Sequence, residues 1–149
     1  MNDKFLNLYL AEDDLDDSLF FEEILNEQPT PIQLTIAQNG EELMQLLGKA
    51  PVLPDIVFLD LNMPLKNGFE CVNEILANEK LKDIKVIVFS TFFSPAVLDN
   101  LYDSGADYCI QKPSSFSEFS RIISYAIQLA RASETQPGRD KFVLDRYAV

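Results

Sequence analysis

Five short apolar runs alternate with five amphipathic stretches, and this alternation constrains the fold more than any other feature of the chain. The runs are Leu6 to Ala11, Gln33 to Ala37, Asp55 to Leu59, Lys85 to Phe89 and Asp107 to Ile110. Three of them are continuously apolar, as strands covered by helices on both faces must be. The stretches between and after them carry a helical period: Asp16 to Glu27, Glu41 to Gly48, Phe69 to Glu79, Pro95 to Ser104 and Phe116 to Arg131. Asn39 and Ser94 can cap their helices, and Pro95 suits a first helical position. Strand then helix, five times over, predicts an α/β fold with a doubly wound, five-stranded parallel sheet and helices on both faces. In such sheets the functional crevice lies beyond the carboxyl ends of the strands. The periodicity stops near residue 132, so the reading is one domain over 1–131 and a tail over 132–149, frayed or docked through Phe142-Val143-Leu144.

Charge narrows the partners. The formal net charge is -12, and no Lys or Arg stands between Lys4 and Lys49, where ten Asp and Glu residues lie. Such a surface repels nucleic acid and anionic lipid and attracts Mg²⁺ or a basic protein face. Most of these acids also serve simply to solvate the surface. The two cysteines, Cys71 and Cys109, cannot build a disulfide framework. The amino terminus does not read as a signal peptide. The uncharged run from Val86 to Leu98 is too short to span a bilayer and contains Pro95. A reduced, cytoplasmic setting is expected, with no membrane and no nucleic-acid partner.

Polar residues stand where four strands stop. Strand one ends in Glu12-Asp13-Asp14, strand three in Asp60, strand four in Ser90-Thr91 and strand five in Lys112-Pro113. Taken singly, each has an ordinary structural role: aspartates after strands cap helices and shape turns, and a lone Ser or Lys is a loop hydroxyl or a solvated charge. The predicted fold brings them to one crevice. Converging carboxylates repel one another unless a cation lies among them. Hard oxygen donors in a chain without histidine suit Mg²⁺ rather than zinc. A carboxylate can attack phosphorus, and a lysine and a metal ion can neutralise the oxygens of a moving phosphoryl group. Ser90 can donate a hydrogen bond to one of them.

At these positions the chain resembles the receiver domain of two-component response regulators. The segment Pro54-Asp55-Ile56-Val57-Phe58-Leu59-Asp60-Leu61-Asn62-Met63-Pro64, followed by Gly68, carries the likeness, with Ser90, Gly105-Ala106 and Lys112-Pro113. It covers roughly residues 5 to 131 and implies a flavodoxin-like sheet. It implies that Asp60 is phosphorylated, and that Asp13, Asp60 and the Asn62 carbonyl bind Mg²⁺, with Glu12 acting mainly through water. It implies that Lys112 pairs with Asp60, that Ser90 is the switch hydroxyl, and that the Thr91 N–H contacts the phosphoryl group. Asp13-Asp14 could replace Glu12-Asp13 as the acidic pair. Helix phase favours the latter, because it sets Phe20, Phe21, Ile24 and Leu25 against the sheet. The resemblance also implies a cis Lys112-Pro113 bond. One departure stands out: Cys109 occupies the strand-five position where the family often has Tyr or Phe.

The function expected is a single-domain response regulator, not an enzyme acting on outside substrates. It takes phosphoryl from a sensor histidine kinase or histidine phosphotransfer protein and docks a downstream protein, with a homodimer also open. An opening acidic run and a tail also resemble short regulators linked to phytochromes. The alternatives are an aspartyl-phosphate phosphatase, which would need an acid-base where Asn62 stands, and an interaction module independent of phosphorylation. Leu15 and Leu19 fall on the outer side of helix one as candidates for docking a helix bundle. At least one of Phe92 and Phe93 is expected to be exposed, in a loop that moves on phosphorylation.

Overall fold

The computed structural model describes residues 5–147, which form one parallel sheet with helices on both faces. The elements follow the order β1 (Leu6–Ala11), α1 (Leu15–Asn26), β2 (Ile32–Ala37), α2 (Gly40–Lys49), β3 (Ile56–Asp60), α3 (Gly68–Ala77), β4 (Lys85–Ser90), α4 (Pro95–Ser104), β5 (Tyr108–Gln111) and α5 (Phe116–Ala132). A single 3₁₀ turn at Arg139–Lys141 leads into β6 (Val143–Leu144). The strand order is β2-β1-β3-β4-β5-β6. The chain leaves β1 toward one edge, returns, and continues from β3 toward the other. That reversal opens a crevice beyond the ends of β1 and β3.

Strand residues alternate between two cores, as a period of two requires. Leu8, Leu10, Phe58, Phe89 and Ile110 face α1 and α5, where Phe21, Ile24, Ile122, Ile123 and Ala126 meet them. Tyr9, Val57, Leu59, Val88 and Cys109 face the other side, with Leu43 and Leu47 of α2, Val72 and Ile75 of α3 and Leu101 of α4. Local signals agree with this packing. Asn39, Asn67, Ser94 and Ser115 each accept a backbone N–H at a helix start. Gly105, with φ 103°, ends α4 in the left-handed region that favours glycine.

Three expectations need correction. The sheet has a sixth strand, because the tail docks and β6 pairs in parallel with β5 at Cys109↔Val143 and Ile110↔Leu144. Two residues are too few to show a period, and Phe142, fully buried, anchors them. Phe20 does not face the sheet. It is 51% exposed and packs edge-on against Phe116, with ring centroids 5.9 Å apart. At about 100° per residue the inner face of α1 is filled by Phe21, Ile24 and Leu25, with buried Ser18 in the remaining place. No cis peptide bond occurs among the described residues, so Lys112-Pro113 is trans. The trans form is the intrinsic preference of such bonds by about 0.5–1 kcal/mol, and Lys112 still reaches the crevice.

The two adjacent phenylalanines of α1 should therefore respond differently to truncation. Phe21 contacts the rings of Phe58, Phe89 and Phe119. Phe21→Ala should cost about 3–5 kcal/mol. Phe20→Ala should cost less than about 1 kcal/mol. Urea unfolding of both variants measures the difference, and equal losses would contradict the placement of α1.

Candidate functional site

The crevice is lined by the residues that follow the strands, and each is held there by its element. β1 delivers Glu12, whose N–H donates to the Ala37 carbonyl at 3.0 Å. Asp14 turns away to cap α1, its Oδ1 accepting the Asp17 N–H at 3.0 Å. That commitment resolves the choice within the acidic run: Glu12 and Asp13 face the site and Asp14 starts the helix. β3 delivers Asp60, which pairs in register with Phe89 of β4. The Asn62 N–H donates to Asp60 Oδ1 at 3.1 Å and fixes the carboxylate's rotation.

Gly68 is needed directly behind this carboxylate. A Cβ there would stand 2.7 Å from the Asp60 carbonyl oxygen and 2.8 Å from Leu61 Cα. The loop between them also holds Leu65 at φ 68°. Leucine rarely adopts that region, so the tight turn carries local backbone strain.

One carboxylate oxygen from each of Glu12, Asp13 and Asp60 lies within 4.8 Å of the others. Glu12 and Asp60 are buried while Asp13 is exposed, so the cluster opens to solvent on one side. Among the described residues, Glu12 Oε1 has no hydrogen-bond partner. Its Oε2 accepts the Asp14 N–H at 3.3 Å. Burial, and then the adjoining Asp60 carboxyl, push the Glu12 pKa up to about 8, against a smaller lowering by Lys112. Burial and repulsion thus favour a proton on Glu12, and the Lys112 ammonium opposes it. These are hard oxygen donors around an unsatisfied buried oxygen, and they fit a divalent cation such as Mg²⁺.

Lys112 closes one wall, but not with the partner expected. Its Nζ lies 3.5 Å from Glu12 Oε1 and 3.7 Å from Asp17 Oδ2, and it sits 4.8 Å above the centroid of Phe89. Its ion pairs are with these acids and not with Asp60. Sequence reasoning did not single out Asp17. Its place in the first turn of α1, directly after the strand-end acids, is the signal that could have found it.

Ser90 is buried at the opposite wall. Its hydroxyl donates to the Phe92 carbonyl at 2.9 Å, and its oxygen accepts the Phe92 N–H at 3.3 Å and the Asn62 amide at 3.4 Å. Thr91 is exposed beside it. Phe92 is 68% exposed whereas Phe93 is 8% exposed, as two adjacent rings beside one core should be. Cys109 is fully buried, and burial holds its thiol well above the ordinary range, so it is an inert packed side chain.

A protein-family model described as the response regulator receiver domain matches residues 8–124. Among curated proteins, a protein-glutamate methylesterase/protein-glutamine glutaminase of Colwellia psychrerythraea is 30% identical over 143 residues, covering 85% of this chain and 35% of that protein. The enzyme of the same description from Pseudoalteromonas atlantica is 36% identical over 99 residues, covering 62% of this chain and 24% of that protein. The chain thus spans about a third or less of the length of these relatives. Among solved structures, the phosphorylated cyanobacterial phytochrome response regulator RcpA is 27% identical with a TM-score of 0.81, covering 90% of this chain and 99% of that one. The Mn²⁺-bound form of the response regulator Rcp1 is 25% identical with a TM-score of 0.78, covering 89% and 99%. Fold, strand-end acids and family match agree, and the chain belongs to the response regulator receiver family.

Proposed function

We propose that this chain takes a phosphoryl group onto Asp60 from a phosphohistidine of a sensor histidine kinase or histidine phosphotransfer protein, and then docks a downstream protein. The observation that carries this reading is the convergence of Glu12, Asp13 and Asp60 within 4.8 Å, with Lys112 Nζ 3.5 Å from Glu12. The likeness, along almost the whole length of that protein, to a cyanobacterial phytochrome response regulator favours a photosensory kinase as the donor.

Glu12, through water, with Asp13, Asp60 and the Asn62 backbone carbonyl would hold Mg²⁺. Bound there, the ion supplies positive charge that offsets the carboxylates and the phosphoryl oxygens. One oxygen of Asp60 is committed to the Asn62 N–H, which leaves the other as the nucleophile. It attacks phosphorus as the P–N bond to the donor imidazole breaks, and that electron pair stays on the nitrogen. Lys112 can swing from Glu12 and Asp17 to a phosphoryl oxygen. Ser90 can exchange its bond to Phe92 for one to a second phosphoryl oxygen, and the Thr91 N–H can serve a third. Asn62 stands where a phosphatase would need an acid-base, and its amide bonds to Ser90. Turnover is therefore limited to the chain's own phosphorylation and dephosphorylation.

Intact mass after exposure to acetyl phosphate tests the chemistry. Wild type should gain one acid-labile phosphoryl group only when Mg²⁺ is present, and Asp60→Asn should gain none at that site. Equal labelling of Asp60→Asn would sink the assignment. Asp13→Ala should bind Mg²⁺ more weakly.

Leu15 and Leu19 are 70% and 52% exposed, one turn apart on the acidic face of α1. The reading places them against the donor's helices. The double variant Leu15→Ala with Leu19→Ala should slow phosphorylation by a protein donor and leave acetyl phosphate labelling unchanged. An unchanged rate with the protein donor would remove that docking role.

The proton on Glu12 gives a pH dependence of defined sign. A carboxyl with a folded pKa of about 8 against an ordinary 4.5 binds more protons folded than unfolded between those values. Relative to Glu12→Gln, the metal-free protein should lose stability as pH rises from about 4.5 to about 8, and level off above. A divalent cation held by these carboxylates would compete with that proton, so the gain in Tm on adding Mg²⁺ should grow across the same interval. Thermal melts with and without Mg²⁺ measure this, and a metal-free Tm that rises through the window relative to Glu12→Gln would contradict it.

A further inference from the structure

The tail makes a set of contacts that the receiver chemistry does not use, and nearly all of them fall on α4 and β5. Tyr102 Oη donates to the Pro137 carbonyl at 2.8 Å. Gln136 Nε2 donates to the Tyr102 carbonyl at 2.8 Å and to the Ala106 carbonyl at 2.7 Å. Arg139 pairs with Asp99 at 3.1 Å. The Cys109 N–H donates to the Phe142 carbonyl at 3.0 Å. Phe142 is fully buried and meets Tyr102 edge-on, with centroids 5.1 Å apart. The middle of α4, at Asp99 and Tyr102, and the turn after it, at Ala106, are thereby tied to one segment, residues 136–142.

The same helix is tied to the crevice at its other end. The Ser90 hydroxyl is committed to the backbone of Phe92, exposed on the loop between β4 and α4. Phe93, next in the chain, is buried in the core that also holds Leu101, Cys109 and Phe142. Ser94 then caps α4. A phosphoryl oxygen on Asp60 would compete for the Ser90 hydroxyl with a charge-assisted bond, roughly twice as strong as a neutral one. Releasing Phe92 shifts a loop only one residue from the cap of α4. Cys109 is too small to absorb that shift by turning. The same core holds Phe142, an aromatic supplied by the tail and seated against Tyr102.

We propose that residues 133–147 are a phosphorylation-responsive strap, docked on α4 and β5 in the resting protein and loosened when Asp60 carries a phosphoryl group. Loosening uncovers the outer edge of β5 and the apolar seat of Phe142, a surface suited to an extended partner segment bearing an aromatic side chain. The inference rests on Asp60 being the acceptor, as proposed above.

Hydrogen exchange read by mass spectrometry on the full chain, with acetyl phosphate and Mg²⁺ and with intact mass followed in parallel, tests it. Labelled protein should exchange the amides of 133–147 at least about fivefold faster than unlabelled protein, with β2 unchanged. Gln136→Ala should label like wild type, exchange its tail on the order of fivefold faster before any donor is added, and gain less on labelling. Labelled protein with an unchanged or slower tail would overturn the strap and leave the Asp60 assignment standing. Absence of labelling would overturn both. A Gln136→Ala tail that exchanges at the wild-type rate would also overturn the strap.

Discussion

Carboxylates crowded at one end of a parallel sheet are the constraint on which this structure turns. Burying Glu12 beside Asp60 is unfavourable on its own, since both burial and like charge oppose ionisation. The fold sustains it because two cores, one on each face of the sheet, hold β1 and β3 in register, and because the reversal of strand order sets their ends side by side. Each relief available to Glu12 is a form of positive charge: a proton, the Lys112 ammonium, or a divalent cation. The site is therefore built to want a cation before any phosphoryl group arrives, and the proposed chemistry uses that demand.

The two walls of the crevice differ in character. On the α1 and α5 side, Lys112 lies over Phe89, beside a cavity that Phe20, Phe21, Phe116 and Phe119 line. The apolar floor lowers the local dielectric and strengthens the ion pairs of Lys112 with Glu12 and Asp17. On the α4 side, Ser90 and the loop after it form a polar hinge with few alternatives. In the proposed function, charge is sensed at the first wall and a single hydroxyl relays it at the second.

Much of this was legible in the sequence. The interiors of β3 and β4 are continuous apolar runs because both their faces are covered, and the structure buries almost every residue in them. The strand-end acids were legible because a parallel sheet leaves only one place for them to meet. Other features lay below what a pattern can show. Phe20 sits at the margin of the inner stripe of α1, where one residue's rotation separates core from surface. β6 is two residues long, and its position depends on Phe142 finding a seat beside Tyr102. Lys112 has a long, flexible stem, so its choice of Glu12 and Asp17 over Asp60 is decided by the distances in the folded site. A Lys-Pro sequence permits either isomer, and the Lys112-Pro113 bond is trans.

The central claim, that Asp60 is the phosphoryl acceptor, is tested most directly by trapping the acyl phosphate on the wild-type chain. Borohydride converts an aspartyl phosphate to homoserine, and peptide mass spectrometry then reads which position changed. The account predicts homoserine at Asp60 alone, formed only when Mg²⁺ and a phosphoryl donor were both present. Homoserine at Asp13 or another aspartate, with Asp60 intact, would contradict it.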